Sequence, residues 1–237
     1  MAPIPYIYEY IRCRGFVPLH MEQHFARIDS LSHRYFLSPL GIECKTLVGE
    51  IGKALRQGGY SERRTNAVKV LRYIDGRVEV ECVEMLYDHF SLRAVRPQGY
   101  FCHLAGDVVM AQTSVKDSAL AFDHATAEIS DEGVAVWLSD MGEVKSIDGA
   151  SVVAVFDDEI RFSHSGSGVE FELAYVAVQG GKRAVSRGEI SHEDMLRAKE
   201  VFYIDHRGVT ALLSCSGHFY MDIVAERTAR QMAEAEG

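Results

Sequence analysis

The sequence predicts an α+β protein of two units, a small N-terminal domain over residues 1–98 and a larger, β-rich C-terminal domain over residues 99–237. Three observations carry this reading. At 237 residues the chain is longer than one typical domain and long enough for two modest cores. Stretches of β-favouring residues alternate along it with stretches of helical spacing. The pattern weakens once, between about Leu92 and Asp107 around Pro97 and Gly99, and the boundary is placed there.

The opening "IPYIYEYIRCRGFVPL" reads as two short strands about a turn at Arg14-Gly15, because Ile7, Tyr8, Tyr10, Ile11, Phe16 and Val17 favour extended backbone. A helix follows from about His20 to Phe36. Its spacing sets Phe25, Ile28, Ser32 and Tyr35 on one face, with His24 against that face and Arg27 at its edge, and Ser38-Pro39-Leu40-Gly41 ends it. A second helix fits "CKTLVGEIGKALRQGG", with Leu47, Ile51 and Leu55 in register and Gly58-Gly59 as its stop. "NAVKVLRYIDGRVEVECVEML" then alternates about Asp75-Gly76, a strong hairpin signal.

Beyond the boundary, "HATAEISDEG" reads as a helix ending at Gly133. "VAVWLSDMGEVKSI" reads as a hairpin about Met141-Gly142, and "ASVVAVFDDEIRFS" as another about Asp157-Asp158. After the small-residue loop "SHSGSG" a helix fits "VEFELAYVAVQGG". Ser191 and Asp194 form a capping box for a short helix that leads into the buried strand "VFYI", and a last helix runs through "YMDIVAERTARQMAEA".

The formal net charge of -9, spread along the chain, argues against a nucleic-acid backbone as partner, since that partner needs a basic face. Cys13, Cys44, Cys82, Cys102 and Cys215 are odd in number and far apart, so neither a disulfide framework nor a zinc site is expected, and the ten histidines lack metal-ligand spacing. No apolar run approaches the roughly 18 residues of a membrane helix. No basic-then-apolar leader opens the chain, and a cytoplasmic location is expected.

"YEYIRCRGFVPLHMEQHFARIDSLS" carries a strand phrase, Glu9, Ile11 and Arg12, followed by a helix with His24, Phe25, Ala26 and Arg27. It resembles the opening of the class IV aminotransferases, the fold type IV pyridoxal-phosphate enzymes that include branched-chain and D-amino-acid aminotransferases and aminodeoxychorismate lyase. "ISHEDMLRAKEVFYI" is similar to a later stretch of the same family, and "TSVKDSALAF" falls between the two where the family has its Schiff-base lysine. The resemblance implies a D-amino-acid-aminotransferase-like fold, a small α/β domain before a larger domain with a barrel-like β core. It implies Lys116 as the catalytic lysine, Arg27 as the contact to the cofactor phosphate, pyridoxal 5′-phosphate as cofactor, a small-molecule amino donor or acceptor as substrate, and a homodimer. His24 reads as structural, donating a hydrogen bond near the core.

Other positions depart from the family pattern. Ser146 stands where a glutamate would hold the pyridine nitrogen, and Asp148, two residues on and on the same strand face, is the expected substitute. Ser151 replaces an asparagine. Gly168-Val169-Glu170-Phe171 puts a carboxylate where a hydroxyl and amide would meet the phosphate, although backbone amides of "HSGSG" offer an anion nest. Asp205-His206 replaces a glycine-threonine loop, and Ala121 a tyrosine. The expected activity is a divergent aminotransferase acting on a small amino acid or an amino-chorismate-like substrate. An aminodeoxychorismate-lyase-like enzyme and a cofactor-free binding or structural relative are the alternatives.

Overall fold

The computed structural model describes residues 4–85, 92–103, 112–126 and 133–236. The chain divides into two compact units, residues 1–89 with 111–118 and residues 90–110 with 119–237. The sequence reading set Lys116 in a second domain beginning at residue 99, whereas residues 111–118 group by contact with the first unit.

In the first unit, β1 (Tyr6–Arg14) turns at Gly15 into β2 (Val17–Pro18). Gly15 has φ +58°, and a Cβ there would lie 2.4 Å from the Glu62 carbonyl oxygen, so the turn requires glycine. Helices α1 (Met21–Phe36) and α2 (Cys44–Gln57) follow, then the hairpin of β3 (Thr65–Tyr73) and β4 (Val78–Val83) about Asp75-Gly76. The antiparallel sheet runs β2-β1-β3-β4, with β1 paired to β3 along its whole length. The period of two divides β1 sharply. Ile7, Ile11 and Cys13 pack in a core with Ile28 of α1 and Leu47, Ile51 and Leu55 of α2, while Tyr6, Tyr8 and Tyr10 line the opposite face. Each such buried aliphatic side chain contributes about 1.5–3 kcal/mol.

The second unit contains β5 (Gln98–His103) and the later part of α3 (Ser114–Thr126). Four strands follow, β6 (Gly133–Leu138), β7 (Val144–Ile147), β8 (Ser151–Val155) and β9 (Glu159–Ser163), then α4 (Val169–Ala177) and β10 (Ala184–Gly188). The capping box of Ser191 and Asp194 opens α5 (His192–Arg197), as the sequence predicts. Next come β11 (Glu200–Asp205), β12 (Gly208–Ala211), β13 (Ser214–Cys215), β14 (His218–Phe219) and α6 (Ile223–Glu236).

These strands form two five-stranded sheets, β10-β9-β8-β11-β12 and β14-β13-β5-β6-β7. The sharp turn at Asp148-Gly149 joins them, with Ile147 and Ala150 bridged across it. Val136, Leu138 and Val144 of one sheet share a core with Val152, Ala154, Val201 and Tyr203 of the other, which makes the barrel-like β core. On the far face of β8, Val153 and Val155 pack with Phe171 and Ala174 of α4 and Val224, Ala225 and Ala229 of α6. Burial on both faces explains why "SVVAV" is apolar throughout instead of alternating. Glu200, 2% exposed, accepts hydrogen bonds from the Val224 and Ala225 N–H groups at 2.7 and 3.2 Å and so caps the start of α6.

The helix expected over residues 124–133 has only its first three residues in α3, and residues 127–132 lie outside the described residues. Among the described residues no disulfide joins the cysteines. No helix among the described residues is long and apolar enough to cross a membrane.

Candidate active site

The imidazole and guanidinium beside the apolar stripe of α1 answer to one buried carboxylate. Glu9 points from β1 into the core and is 1% exposed. His24 Nδ1 donates to Glu9 Oε1 at 2.9 Å, and Arg27 Nε to Glu9 Oε2 at 2.9 Å. Burying a lone carboxylate is prohibitive, and two donors, one of them cationic, offset that cost. His24 therefore has the structural role that the sequence assigned to it. Arg27 keeps 20% of its side chain exposed and reaches across with Nη2 to Gln112 Oε1 at 3.1 Å.

Gln112 belongs to the segment that brings in Lys116. The Tyr8 N–H donates to the Gln112 carbonyl at 2.9 Å, and Thr113 bridges Ile7, so this segment fills the free edge of β1. Thr113 then caps α3, its hydroxyl accepting from the Lys116 N–H at 3.3 Å, which puts Lys116 in the first turn. Lys116 is 7% exposed.

The next residue, Asp117, anchors the turn from its other side. Its carboxylate accepts from the Tyr6 hydroxyl at 2.8 Å and pairs with Lys69 Nζ, which lies 4.1 Å from the ring centroid of Tyr8 and 5.5 and 5.6 Å from those of Tyr10 and Tyr6. Lys69 is thus held by one carboxylate and three aromatic faces. Burial, followed by the Asp117 charge, pushes the Tyr8 hydroxyl far above its ordinary range, so it stays protonated as a donor. No sequence pattern marked this cluster, although the Tyr6, Tyr8, Tyr10 spacing of two was its available signal.

The remaining predicted positions lie in the second unit. Asp148 sits in the β7–β8 turn with φ +50°, and its Oδ2 accepts from Arg207 Nη2 at 2.9 Å. Arg207 also pairs with Asp205. Burial pushes the Asp205 carboxyl up, but the attraction of Arg207 and the bonds it donates outweigh that and hold it below its usual range. Ser146 is 2% exposed, and its hydroxyl has no hydrogen-bond partner. Ser151 exchanges two 2.9 Å bonds with the backbone of Ser167, accepting from its N–H and donating to its carbonyl. The Gly166 N–H is spent on the Ser163 carbonyl and the His164 N–H on Gly188, so "HSGSG" is a bonded turn with most of its amides committed. Glu170 is buried, 8% exposed, in the first turn of α4.

The fold also gathers Glu143, His164 and Glu189, with ligand atoms within 4.8 Å of one another, a grouping invisible in sequence spacing. Glu143 already holds Lys145 and lies 3.4 Å from His164 Nδ1.

Against a lysine-linked, phosphate-bearing cofactor, the first unit fits: it has a buried amine in a capped helix turn and an oriented, partly exposed guanidinium bonded to the same segment. In the second unit, position 146 is a buried serine and the Glu170 side chain is buried.

No family model and no curated protein sequence matches the chain. Its structure, in contrast, is similar to known ones. A Thermotoga maritima protein assigned as a branched-chain amino acid aminotransferase superposes with a TM-score of 0.81 at 14% identity, over 98% of this chain and 86% of that one. The branched-chain amino acid aminotransferase of Escherichia coli gives 0.75 at 14% identity, over 95% and 82%. A Legionella pneumophila protein assigned as a 4-amino-4-deoxychorismate lyase gives 0.71 at 12% identity, over 91% and 85%. At such identities the likeness is one of architecture, and the chain has the fold of the class IV aminotransferases.

Proposed function

We propose that the chain is a divergent pyridoxal-phosphate-dependent enzyme of the class IV type, an aminotransferase for a small amino acid, with Lys116 as its catalytic lysine and Arg27 as a phosphate contact. One observation carries the reading. Lys116 is buried in a capped helix turn, and its segment is bonded through Gln112 to Arg27. The fold likeness supports it.

Bound pyridoxal phosphate supplies an electron sink for bonds at the α-carbon of an amino acid. The protein's part is to place and protonate. Lys116 Nζ would hold the cofactor through its carbonyl carbon and, as a free amine, would take up and return the proton of the substrate's α-carbon. Glu9 and Gln112 fix two edges of the Arg27 guanidinium, so that a phosphate meets a cation already oriented. Thr113 and Asp117 hold the turn from which Lys116 projects. With this reading goes a homodimer, which sedimentation tests.

The deciding experiment adds pyridoxal 5′-phosphate to the purified protein and follows its visible absorption band, with borohydride reduction and peptide mapping of the adduct. The band should form, reduction should fix the cofactor on Lys116, and Lys116→Ala should abolish both. A wild type with no band at saturating cofactor defeats the proposal. A band that persists in the variant reassigns the lysine.

A further inference from the structure

Helix α6 turns Val224, Arg227 and Gln231 to one side, as helical positions three and four apart are. Against that side runs the connection from α4 to β10, and between them lies a cavity of about 540 Å³. Its size falls within the roughly 300–1,000 Å³ of small-molecule sites. The apolar part of its lining is Ile160, Val178 and Val224, all buried. The charged part is Lys182, Arg183 and Arg227, and no carboxylate lines it.

That charge is the reverse of the chain's own, which has 34 acidic residues against 25 basic ones. Nearby cations are paired, Arg230 with Glu226 and Arg187 with Glu172, whereas neither Lys182 nor Arg227 has an ion pair among the described residues. Arg183 Nε donates to the Phe156 and Asp157 carbonyls at 3.1 and 3.2 Å, which anchors the guanidinium by one edge and leaves its Nη groups without an acceptor among the described residues. Glu200, the carboxylate within the field of Arg183, is committed to the first N–H groups of α6. The backbone N–H groups of Gly180, Gly181 and Lys182 likewise donate to no acceptor among the described residues.

Three like charges around one cavity repel one another, and an anion placed among them is attracted by all three. A carboxylate brings one charge and two oxygens. A phosphate monoester brings about two charges and three strong acceptor oxygens, which suits guanidinium edges and free amides together. The buried apolar lining gains only if the ligand also has an apolar body. We infer that this cavity binds a small organic phosphate, its phosphate among Lys182, Arg183 and Arg227 and its apolar body on Ile160, Val178 and Val224. The site is independent of the pyridoxal-phosphate reading, because its lining lies in the second unit and Lys116 and Arg27 lie in the first.

Phenyl phosphate titrated into ¹⁵N-labelled protein tests it. The amide resonances of Gly180, Gly181 and Lys182 should shift saturably, and inorganic phosphate and benzoate, which lack the apolar body and the second charge, should each bind several-fold more weakly. Lys182→Gln combined with Arg227→Gln, both exposed positions, should weaken phenyl phosphate at least about tenfold, the loss of hydrogen bonds between charged groups. No saturable shift at these amides up to about 10 mM overturns the inference. So does equal affinity for inorganic phosphate or benzoate, or an unchanged affinity in the folded double variant. Shifts confined to the surroundings of Arg27 overturn it as well, while supporting the phosphate contact in the first unit. Should the double variant misfold, the wild-type shifts and the order of the three ligands decide.

Discussion

Arg27 on α1 and Glu9 on β1 are 18 positions apart in sequence and 2.9 Å apart in the fold, with His24 on the other oxygen of the same carboxylate. The arginine is thereby oriented, and the carboxylate is tolerated in a core with almost no solvent. Removing it should be costly. Glu9→Ala should destabilise the protein by about 3–5 kcal/mol, as when one partner of a buried ion pair is deleted, and Glu9→Gln by less, because the amide oxygen still accepts one bond. Urea unfolding midpoints of the three proteins check the order.

Asp117 ties the Lys116 turn to Tyr6 and Lys69. Asp117→Ala should cost about 1.5–3 kcal/mol, the worth of a hydrogen bond to a charged group, and should slow borohydride-trapped labelling of Lys116 by pyridoxal phosphate. Thermal unfolding reads the first effect and labelling kinetics on folded protein the second. Unchanged labelling would leave Asp117 a structural anchor only.

Glu200 gives the molecule a pH signature. Burial raises its carboxyl above the ordinary value, against the Ala225 and Val224 N–H bonds that lower it. The folded state therefore holds this proton more tightly than the unfolded state. Its contribution to stability is fully present below the unfolded value and declines as pH rises through the folded one. Glu200→Gln keeps an oxygen acceptor for the α6 cap and removes the titration. The variant should gain stability relative to wild type as pH rises above the ordinary carboxylate value of about 4. Denaturant titrations above that value test the sign.

Gly166 lies where side-chain volume is forbidden. A Cβ there would stand 2.5 Å from two atoms of the Phe171 ring, a buried member of the core beside α4. Gly166→Ala should destabilise by about 1–3 kcal/mol through overpacking, measured by the shift in thermal midpoint.

Much of the architecture was legible in local pattern. The Asp75-Gly76 hairpin, the two amphipathic helices of the first unit and the Ser191–Asp194 capping box are each decided within a few residues, where periodicity and turn chemistry act. What was missed depends on distant partners. β5, "QGYFCH", begins beside Pro97 and contains a glycine, yet it is a strand because β6 and β13 pair with it on both sides. β13 and β14 are two residues each, too short to carry a period. α3 takes its start from the Thr113 cap, and its first turn is docked on β1.

The sequence by itself determined the kinds of element, their order, and a resemblance that singled out Lys116 and Arg27. These follow from side-chain periodicity and short phrases, which a linear chain displays. Only the tertiary structure decided that Arg27 answers to Glu9 and Gln112, that Asp148 is taken by Arg207, and that Lys182, Arg183 and Arg227 line one cavity. Such relationships are set by strand register and by the docking of one element's edge on another. A side chain's partner is a property of the packed chain, and hydrogen-bond supply and demand can be counted only once it is packed.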